Sequence, residues 1–228
     1  MAKLYGVGVG PGDPRLLTIK AYKIIAEAEV IAFAEIRTAY RIAEAAYPAI
    51  GKKTLLSLQF HMTKDEVLLE ASYSAAAKKI EAFLEKGRDV VYLTLGDPSI
   101  YASYLYLQRR ILEAGYEAEM VPGIPSFCAA AARLGIGLCE QEECLHIIPA
   151  SYEIEEALGY KGTKILMKAG RQSKTLKERL REEGFQAYAA VNCGMDNEMI
   201  CRSLDELPDQ PGYYTTMIIK EKRMKKDE

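Results

Sequence analysis

Hydrophobic and polar positions along the chain follow two periods, and where one gives way to the other the elements can be read off. Leu4 to Val9 (LYGVGV) is a short, nearly continuous apolar run that ends in glycine and proline, which predicts a buried strand. From Leu16 to Ala28 the apolar residues recur at helical spacing, and Glu29 to Phe33 predicts a second strand. The next stretch is less regular: Tyr40 to Ala46 reads as helix and Lys53 to Leu56 as strand. Asp65 to Glu85 is a long amphipathic helix whose Val67, Leu68, Ala71, Ala75, Ile80, Phe83 and Leu84 can share a face, and Gly87 ends it. Asp89 to Leu95 (DVVYLTL) predicts a central strand, after which Ser99 is placed to cap a helix running to Ala114. Glu117 to Val121 is another strand, and Pro125 suits the first turn of a helix through Arg133.

Beyond that point the elements shorten. Strands are predicted at Leu145 to Ile148, Thr163 to Met167 and Ala187 to Asn192, with helices at Ile154 to Leu158 and Lys174 to Glu183. Strand-like segments at Met199 to Ser203 and Tyr213 to Lys220 close the pattern. Strands alternating with helices and then yielding to strand-rich sequence predict two α/β domains, the second partly antiparallel. The Pro122-Gly123 break sets the expected boundary, giving an N-terminal α/β domain over 1–121 and a C-terminal one over 122–228.

Composition adds exclusions. With 30 Lys plus Arg against 32 Asp plus Glu, no global positive field exists to hold a nucleic-acid backbone. The one basic run, Lys220 to Lys226, is interrupted by Glu221 and reads as a solvated end. Five cysteines without a Cys-x-x-Cys pair fit reduced thiols in a cytoplasmic protein, and two scattered histidines argue against a bound metal. No apolar run approaches the roughly 20 residues that span a bilayer, and the first residues lead into a strand pattern rather than a secretory signal, so a soluble protein is expected.

The candidate chemistry lies in three turns at strand ends: Gly6-Val7-Gly8-Val9-Gly10-Pro11-Gly12-Asp13-Pro14, Leu95-Gly96-Asp97-Pro98 and Val121-Pro122-Gly123-Ile124-Pro125. Ligands of open α/β sheets collect at the carboxyl ends of strands, so turns lacking large side chains there outline a cleft. A dinucleotide fingerprint fails in every frame: a G-x-G-x-x-G starting at Gly6 ends on Pro11, and one starting at Gly8 ends on Asp13. No Walker lysine follows, Pro11 and Pro14 lack the amide donors a pyrophosphate needs, and Asp13 and Asp97 add negative charge. A cationic or zwitterionic nucleoside suits these turns better.

Val7 to Pro14 with Leu16-Leu17-Thr18, Leu95 to Pro98 and Val121 to Ile124 resemble, in order and spacing, the tetrapyrrole (corrin/porphyrin) methylases. Gly96 to Tyr101, Pro122 to Ala129, Leu166 to Arg171 and Asn192 to Met195 are similar to the branch that methylates carbon 20 of precorrin-2 or its cobalt form, cobalt-factor II, on the way to cobalamin. The chain departs from the family pattern at Phe33-Ala34-Glu35-Ile36-Arg37, where relatives often carry a proline and a small polar residue.

The resemblance implies two α/β domains with S-adenosylmethionine folded between them, a homodimer, and a tetrapyrrole substrate that would itself bring any cobalt. It implies cofactor contacts, mostly through backbone, from Pro11, Leu95, Gly96, Asp97, Ile100, Ser126, Phe127, Met167, Lys168, Cys193, Gly194, Thr216 and Met217. Methyl transfer to an electron-rich carbon requires loss of a proton, which invites a general base or positioning group. Tyr101 is the first candidate, followed by Tyr104, His61, Glu35 and Arg37, while His146 within a strand is expected to be a packed, hydrogen-bonded core residue. Arg37, Arg41, Lys168 and Arg171 are candidates for the substrate carboxylates. The alternatives are a family member acting at carbon 11 or 17, on uroporphyrinogen III, on a diphthine precursor or on ribosomal RNA, or a non-catalytic nucleotide-binding module on the same scaffold.

Overall fold

The computed structural model describes residues 2–61, 63, 65–149, 154–171 and 173–221. The basic run past Glu221 and the side chain of Arg171 lie outside the described residues. Contacts divide the chain into two units, Met1–Pro125 and Ser126–Glu228. The expected break after Val121 falls earlier than this division because Gly123 donates its N–H to the Asp97 carboxylate at 2.9 Å, fastening the Pro122-Gly123 turn to the first unit.

In the first unit, β1 (Lys3–Gly8), β2 (Val30–Ala34), β3 (Thr54–Leu58), β4 (Val90–Thr94) and β5 (Glu117–Val121) form one parallel sheet in the order β3-β2-β4-β1-β5. Four helices connect them: α1 (Ile19–Glu27), α2 (Thr38–Ala46), α3 (Glu66–Leu84) and α4 (Tyr104–Glu113). Both faces of the sheet are covered, and the strands are accordingly apolar on both sides, as parallel sheets require. Val7, Ile31, Phe33, Val91 and Leu93 pack against α1 and α2, while Leu4, Val30, Ala32, Val90 and Tyr92 pack against α3 and α4. The chain leaves β1 toward β2 in one direction along the sheet and leaves β4 toward β5 in the other. Right-handed crossovers in opposite directions put their helices on opposite faces, so the loops after the adjacent strands β1 and β4 diverge and open a crevice at their carboxyl ends.

Local chemistry sets the helix starts, and two differ from the sequence pattern. The first helix begins at Ile19, not Leu16: Asp13 accepts the Arg15 N–H and holds Pro14–Leu16 in a 3-10 turn, and Thr18 then caps α1 by accepting the Ala21 N–H at 3.2 Å. Ser99 does not cap α4. Its amide is turned back to Asp97 Oδ1 at 2.8 Å, and α4 starts at Tyr104 behind Ser103. Asp65 caps α3, accepting from Val67 and Leu68, and the left-handed Gly87 follows that helix.

In the second unit, β6 (Leu145–Pro149), β7 (Thr163–Met167), β8 (Gln186–Val191), β9 (Met199–Cys201) and β10 (Thr215–Lys220) form a mixed sheet ordered β6-β7-β10-β8-β9. β6 and β7 are parallel; β10 runs antiparallel between β7 and β8, and β9 antiparallel to β8. Leu166, Ala189, Val191, Met217 and Ile219 build a core with α6 (Ile154–Leu158) and α7 (Ser173–Glu182). Residues of β10 alternate between faces, so Thr216 points away from that core, toward α5 (Ser126–Leu134), which packs on β8, β9 and β10.

Candidate active site

In the first unit the three glycine turns meet over the crevice between β1 and β4. Gly10 and Gly96 form an isolated two-residue bridge: the Gly96 N–H donates to the Gly10 carbonyl at 2.8 Å and the Gly10 N–H to that of Gly96 at 3.3 Å. Both lie at positive φ, +79° and +71°, which glycine adopts without a steric penalty. Gly8, Gly96 and Gly123 approach so closely that a methyl on Gly123 would meet the Gly96 carbonyl oxygen at 2.1 Å, and one on Gly8 would meet it at 2.6 Å.

Asp97 fixes the arrangement. Its Oδ1 accepts from the Ser99 amide at 2.8 Å and from the Ser99 hydroxyl, and its Oδ2 accepts from the Gly123 amide at 2.9 Å. This carboxylate is therefore a staple between two turns. Pro11 is buried beside these turns, and Leu95 and Ile100 are half-buried. At the end of β4 the Thr94 hydroxyl is buried with no hydrogen-bond partner among the described residues, and Thr94 is paired in register with Gly8. The ends of these strands thus offer backbone, small side chains and one orphaned hydroxyl.

The base and substrate candidates divide. Tyr101 is 44% exposed and sits at φ +47°, a left-handed conformation that costs a non-glycine residue energy and is concentrated at functional sites. Glu35 and Arg37 follow β2, and His61 follows β3, so all three lie exposed at the same carboxyl edge as Tyr101. Arg37 is braced by rings, its guanidinium 5.6 Å from the Phe33 centroid and 6.0 Å from that of Tyr40. Arg41 is exposed on α2. Tyr104 is a correction: it is fully buried, donates its hydroxyl to the Glu119 carbonyl at 3.0 Å, and fills the space where a Gly6 side chain would stand. Burial pushes its phenol up to about 12, so it is neither accessible nor a base.

In the second unit the remaining candidates gather at one end of the mixed sheet. β7 ends in Met167 and Lys168 follows it, Asn192, Cys193 and Gly194 follow β8, and antiparallel β10 begins with Thr215 and Thr216. Thr216 is paired with Met167 on one side and Ala190 on the other, and its hydroxyl shares a hydrogen bond with that of Ser126 at 3.1 Å, seating the start of α5. Lys168 (φ +62°) and Asn192 (φ +50°) are left-handed, so the ends of the two strands that flank β10 carry backbone strain beside candidate residues. The Lys168 ammonium lies 5.7 Å from the Tyr213 ring centroid. Phe127 is buried, and Met217 lies wholly within the core beneath the sheet, which leaves only their backbone for a ligand. His146 is half-buried rather than core; it bonds the Lys161 carbonyl at 2.9 Å and packs on Tyr160.

Sequence reasoning passed over Glu198 and Arg133. The Glu198 carboxylate accepts the Gly194 N–H at 2.8 Å and both Nε and Nη2 of Arg133. The Arg133 guanidinium holds this acid below the usual carboxylate range. Burial, with the Glu198 charge beside it, pushes the Cys193 thiol up to about 12, so Cys193 is a neutral packing group and no nucleophile. No group of three or more potential metal ligands occurs among the described residues. Nor, among them, is any helix long and apolar enough to cross a membrane.

Residues 3–208 match the family model of the tetrapyrrole (corrin/porphyrin) methylases. The chain belongs to this family. The methylase is 34% identical over 216 residues to a probable cobalt-precorrin-2 C(20)-methyltransferase of Methanocaldococcus jannaschii, covering 90% of this chain and 89% of that protein. It is 27% identical to a precorrin-2 C(20)-methyltransferase of Sinorhizobium, covering 96% and 95%. Among solved structures it is similar to the cobalt-precorrin-4 methyltransferase CbiF, with a TM-score of 0.76 at 20% identity over 96% of this chain and 94% of that one. The uroporphyrin-III C-methyltransferase of Thermus thermophilus complexed with S-adenosylhomocysteine superposes with a TM-score of 0.73 at 20% identity, over 96% and 98%. At such identities these structures speak for the two-unit fold of the methylase.

Proposed function

We propose that the chain is an S-adenosylmethionine-dependent C-methyltransferase that methylates carbon 20 of precorrin-2 or of its cobalt form in cobalamin biosynthesis. The observation that carries this reading is the full-length similarity to proteins named for that reaction in an archaeon and a bacterium, 34% and 27% identical. The geometry supports the donor: the turns around Gly8, Gly96 and Gly123 offer backbone, small side chains and the Thr94 hydroxyl. These fit a nucleoside that carries no phosphate.

Bound there, the donor supplies a methyl group already activated on sulfur, whose transfer breaks a C–S bond while the acceptor carbon forms a C–C bond and releases its proton. The protein's work is then alignment and exclusion of water rather than activation. Pro11, Leu95, Gly96, Asp97 and Ile100 in the first unit, and Ser126, Phe127, Met167, Lys168, Cys193, Gly194, Thr216 and Met217 in the second, are the proposed cofactor contacts. Tyr101 is the proposed catalytic residue, exposed and held in a strained conformation at the carboxyl edge. Arg37 and Arg41, with Lys168 and Arg171, are proposed to meet substrate carboxylates; the stacking of Arg37 on Phe33 reduces the freedom it would lose in doing so. The enzyme is proposed to act in the cytoplasm as a homodimer. Ile19 and Tyr22, 77% and 43% exposed on α1, leave apolar surface that a second copy would cover. Sedimentation equilibrium returning a monomer would refute the dimer.

The decisive experiment is incubation with S-adenosylmethionine carrying a 13C methyl and either precorrin-2 or cobalt-factor II, followed by NMR of the product. A new methyl resonance at carbon 20 is expected. A methyl at carbon 11 or 17, or transfer to uroporphyrinogen III alone, would overturn the assignment. Retained binding of S-adenosylhomocysteine with no transfer to any tetrapyrrole would leave a binding module.

A further inference from the structure

The loop joining β8 to β9 is longer than its hairpin requires. The last pair of that ladder is Val191 with Met199, so residues 192–198 bridge two adjacent antiparallel strands that commonly need only two to five residues. The excess is not slack. The Asn192 N–H donates to the Tyr214 carbonyl at 2.9 Å, the Met195 N–H to the Asn192 carbonyl at 2.9 Å, and the Glu198 N–H to the Met195 carbonyl at 3.0 Å. Asn192 and Gly194 are both left-handed, at φ +50° and +77°, and place the Cys193-Gly194 peptide in a shape that an unrestrained chain would leave.

We propose that Glu198 is a positioning residue of the methyltransferase, its carboxylate clamping the Asn192–Gly194 turn to Arg133 of α5 in the conformation that receives the methyl donor. This rests on the functional reading above, in which Cys193 and Gly194 touch the cofactor. The clamp has three fixed points. Gly194 donates its amide to Oε1 at 2.8 Å, and Arg133 Nε lies 3.1 and 2.9 Å from the two oxygens, a fork that sets the plane of the carboxylate. The end of the helix that carries Arg133 is tied a second time, because Arg202 Nη1 donates to the Leu134 carbonyl at 2.6 Å, and its start is tied by Ser126 to Thr216. The Glu198 side chain is 13% exposed and that of Arg133 60%. A half-exposed ion pair of this kind contributes little net stability, so what it supplies is geometry.

The test uses the full chain as wild type, Glu198→Ala, Glu198→Gln and Arg133→Ala. Each is followed by thermal unfolding, calorimetric titration with S-adenosylhomocysteine, and initial rates against both substrates. Glu198→Ala is expected to weaken S-adenosylhomocysteine by about tenfold and to raise the KM for the donor alike, with kcat and the tetrapyrrole KM changed less than about threefold. Glu198→Gln keeps an oxygen for the Gly194 amide but loses the charge facing Arg133, and should recover part of that affinity; Arg133→Ala should match Glu198→Gln. Wild-type affinity in Glu198→Ala, or losses shared equally by kcat and both KM values in the well-folded Glu198→Gln, would overturn the proposal. Absence of S-adenosylhomocysteine binding by the wild type would instead bring down the functional reading on which it rests.

Discussion

The glycine turns of the first unit are held by close approach of backbone to backbone, whereas the Asn192–Gly194 turn of the second is clamped by a pair of side chains. Gly8, Gly96 and Gly123 approach until no methyl fits between them, and the Gly10–Gly96 bridge closes the contact with two hydrogen bonds. In the second unit the Asn192–Gly194 turn is braced by the Glu198–Arg133 pair, while Ser126 and Thr216 tie α5 to β10. The first arrangement tolerates no added atom, because the neighbours are backbone and cannot swing away. The second can be adjusted, since side chains can be exchanged and the surrounding strands stay paired. Substitutions should therefore act sharply at the three glycine turns and by degrees at the Asn192–Gly194 turn. The greatest effect is expected from Gly123→Ala, whose methyl would lie 2.1 Å from the Gly96 oxygen. A loss of about 3 kcal/mol or more in unfolding free energy, with methyl transfer abolished, is expected from forced displacement of backbone. Gly87→Ala is the control: it is also left-handed, at φ +71°, but a methyl there meets nothing within 4 Å, so a loss of about 1 kcal/mol with unchanged kinetics is expected. Equal losses in the two variants would show that conformation, not proximity, governs these turns.

Asp97 is where the first unit also uses a side chain, and it sharpens the contrast. Asp97→Ala removes the acceptor of the Ser99 and Gly123 amides, at a cost of about 2 kcal/mol. Because the freed turns are those proposed to hold the donor, affinity for S-adenosylhomocysteine should fall with stability. Asp97→Asn keeps one acceptor oxygen and should lie between. Unaltered cofactor affinity in Asp97→Ala, measured by calorimetry, would mean that the glycine contacts alone shape the turns.

The fold was legible because its signals are local. Buried parallel strands read as apolar runs and β10 was visible as a strand-rich end, but the apolar face expected for α3 was misplaced: Val67, Leu68, Ala71 and Ala75 are exposed, and Tyr73, Ala76 and Ala77 are buried in their stead with Ile80 and Leu84. Helix starts were less legible where two polar residues compete for one role: Ser99 looks like a cap until Asp97 claims its amide, and Thr18 caps α1 only because Asp13 holds the preceding turn. Of the site, the glycine turns announced themselves because close approach requires glycine. Tyr104 did not, since a tyrosine three residues past Tyr101 carries no mark of pointing inward, and the reason it does is the missing side chain of Gly6, about a hundred residues away in sequence. Glu198 and Arg133 were illegible for the same reason: 65 residues separate them, and neither lies in a motif.

The two tyrosines give a finer test of which side chains act and which only fill. Tyr104→Phe loses one buried hydrogen bond to the Glu119 carbonyl and should cost about 1 kcal/mol of stability while leaving kcat and both KM values in place. Tyr101→Phe should do the reverse, lowering kcat by about tenfold or more with no change in melting temperature, because its 44% exposed ring contributes little to the core. Wild-type kcat in Tyr101→Phe would remove the hydroxyl from the reaction.

An effect confined to alkaline pH is expected in the second unit, at Cys193. Its thiol is pushed up to about 12 by burial and by the neighbouring Glu198 charge, whereas an unfolded cysteine titrates near about 8.5. Below that value both states hold the proton and Cys193 makes no pH-dependent contribution. As pH rises past it, the unfolded chain gives up a proton that the folded chain retains, so the equilibrium moves toward unfolding until the folded thiol itself ionises. Between pH 8.5 and 10 the wild type should therefore lose about 1–2 kcal/mol more than Cys193→Ser, as measured by urea unfolding at each pH. The same burial predicts that Cys193 reacts with iodoacetamide far more slowly than exposed Cys139 or Cys144 in the native protein. Parallel pH profiles for the two chains, together with rapid native alkylation of Cys193, would mean that the Asn192–Gly194 turn opens to solvent and that its clamp is weaker than the geometry indicates.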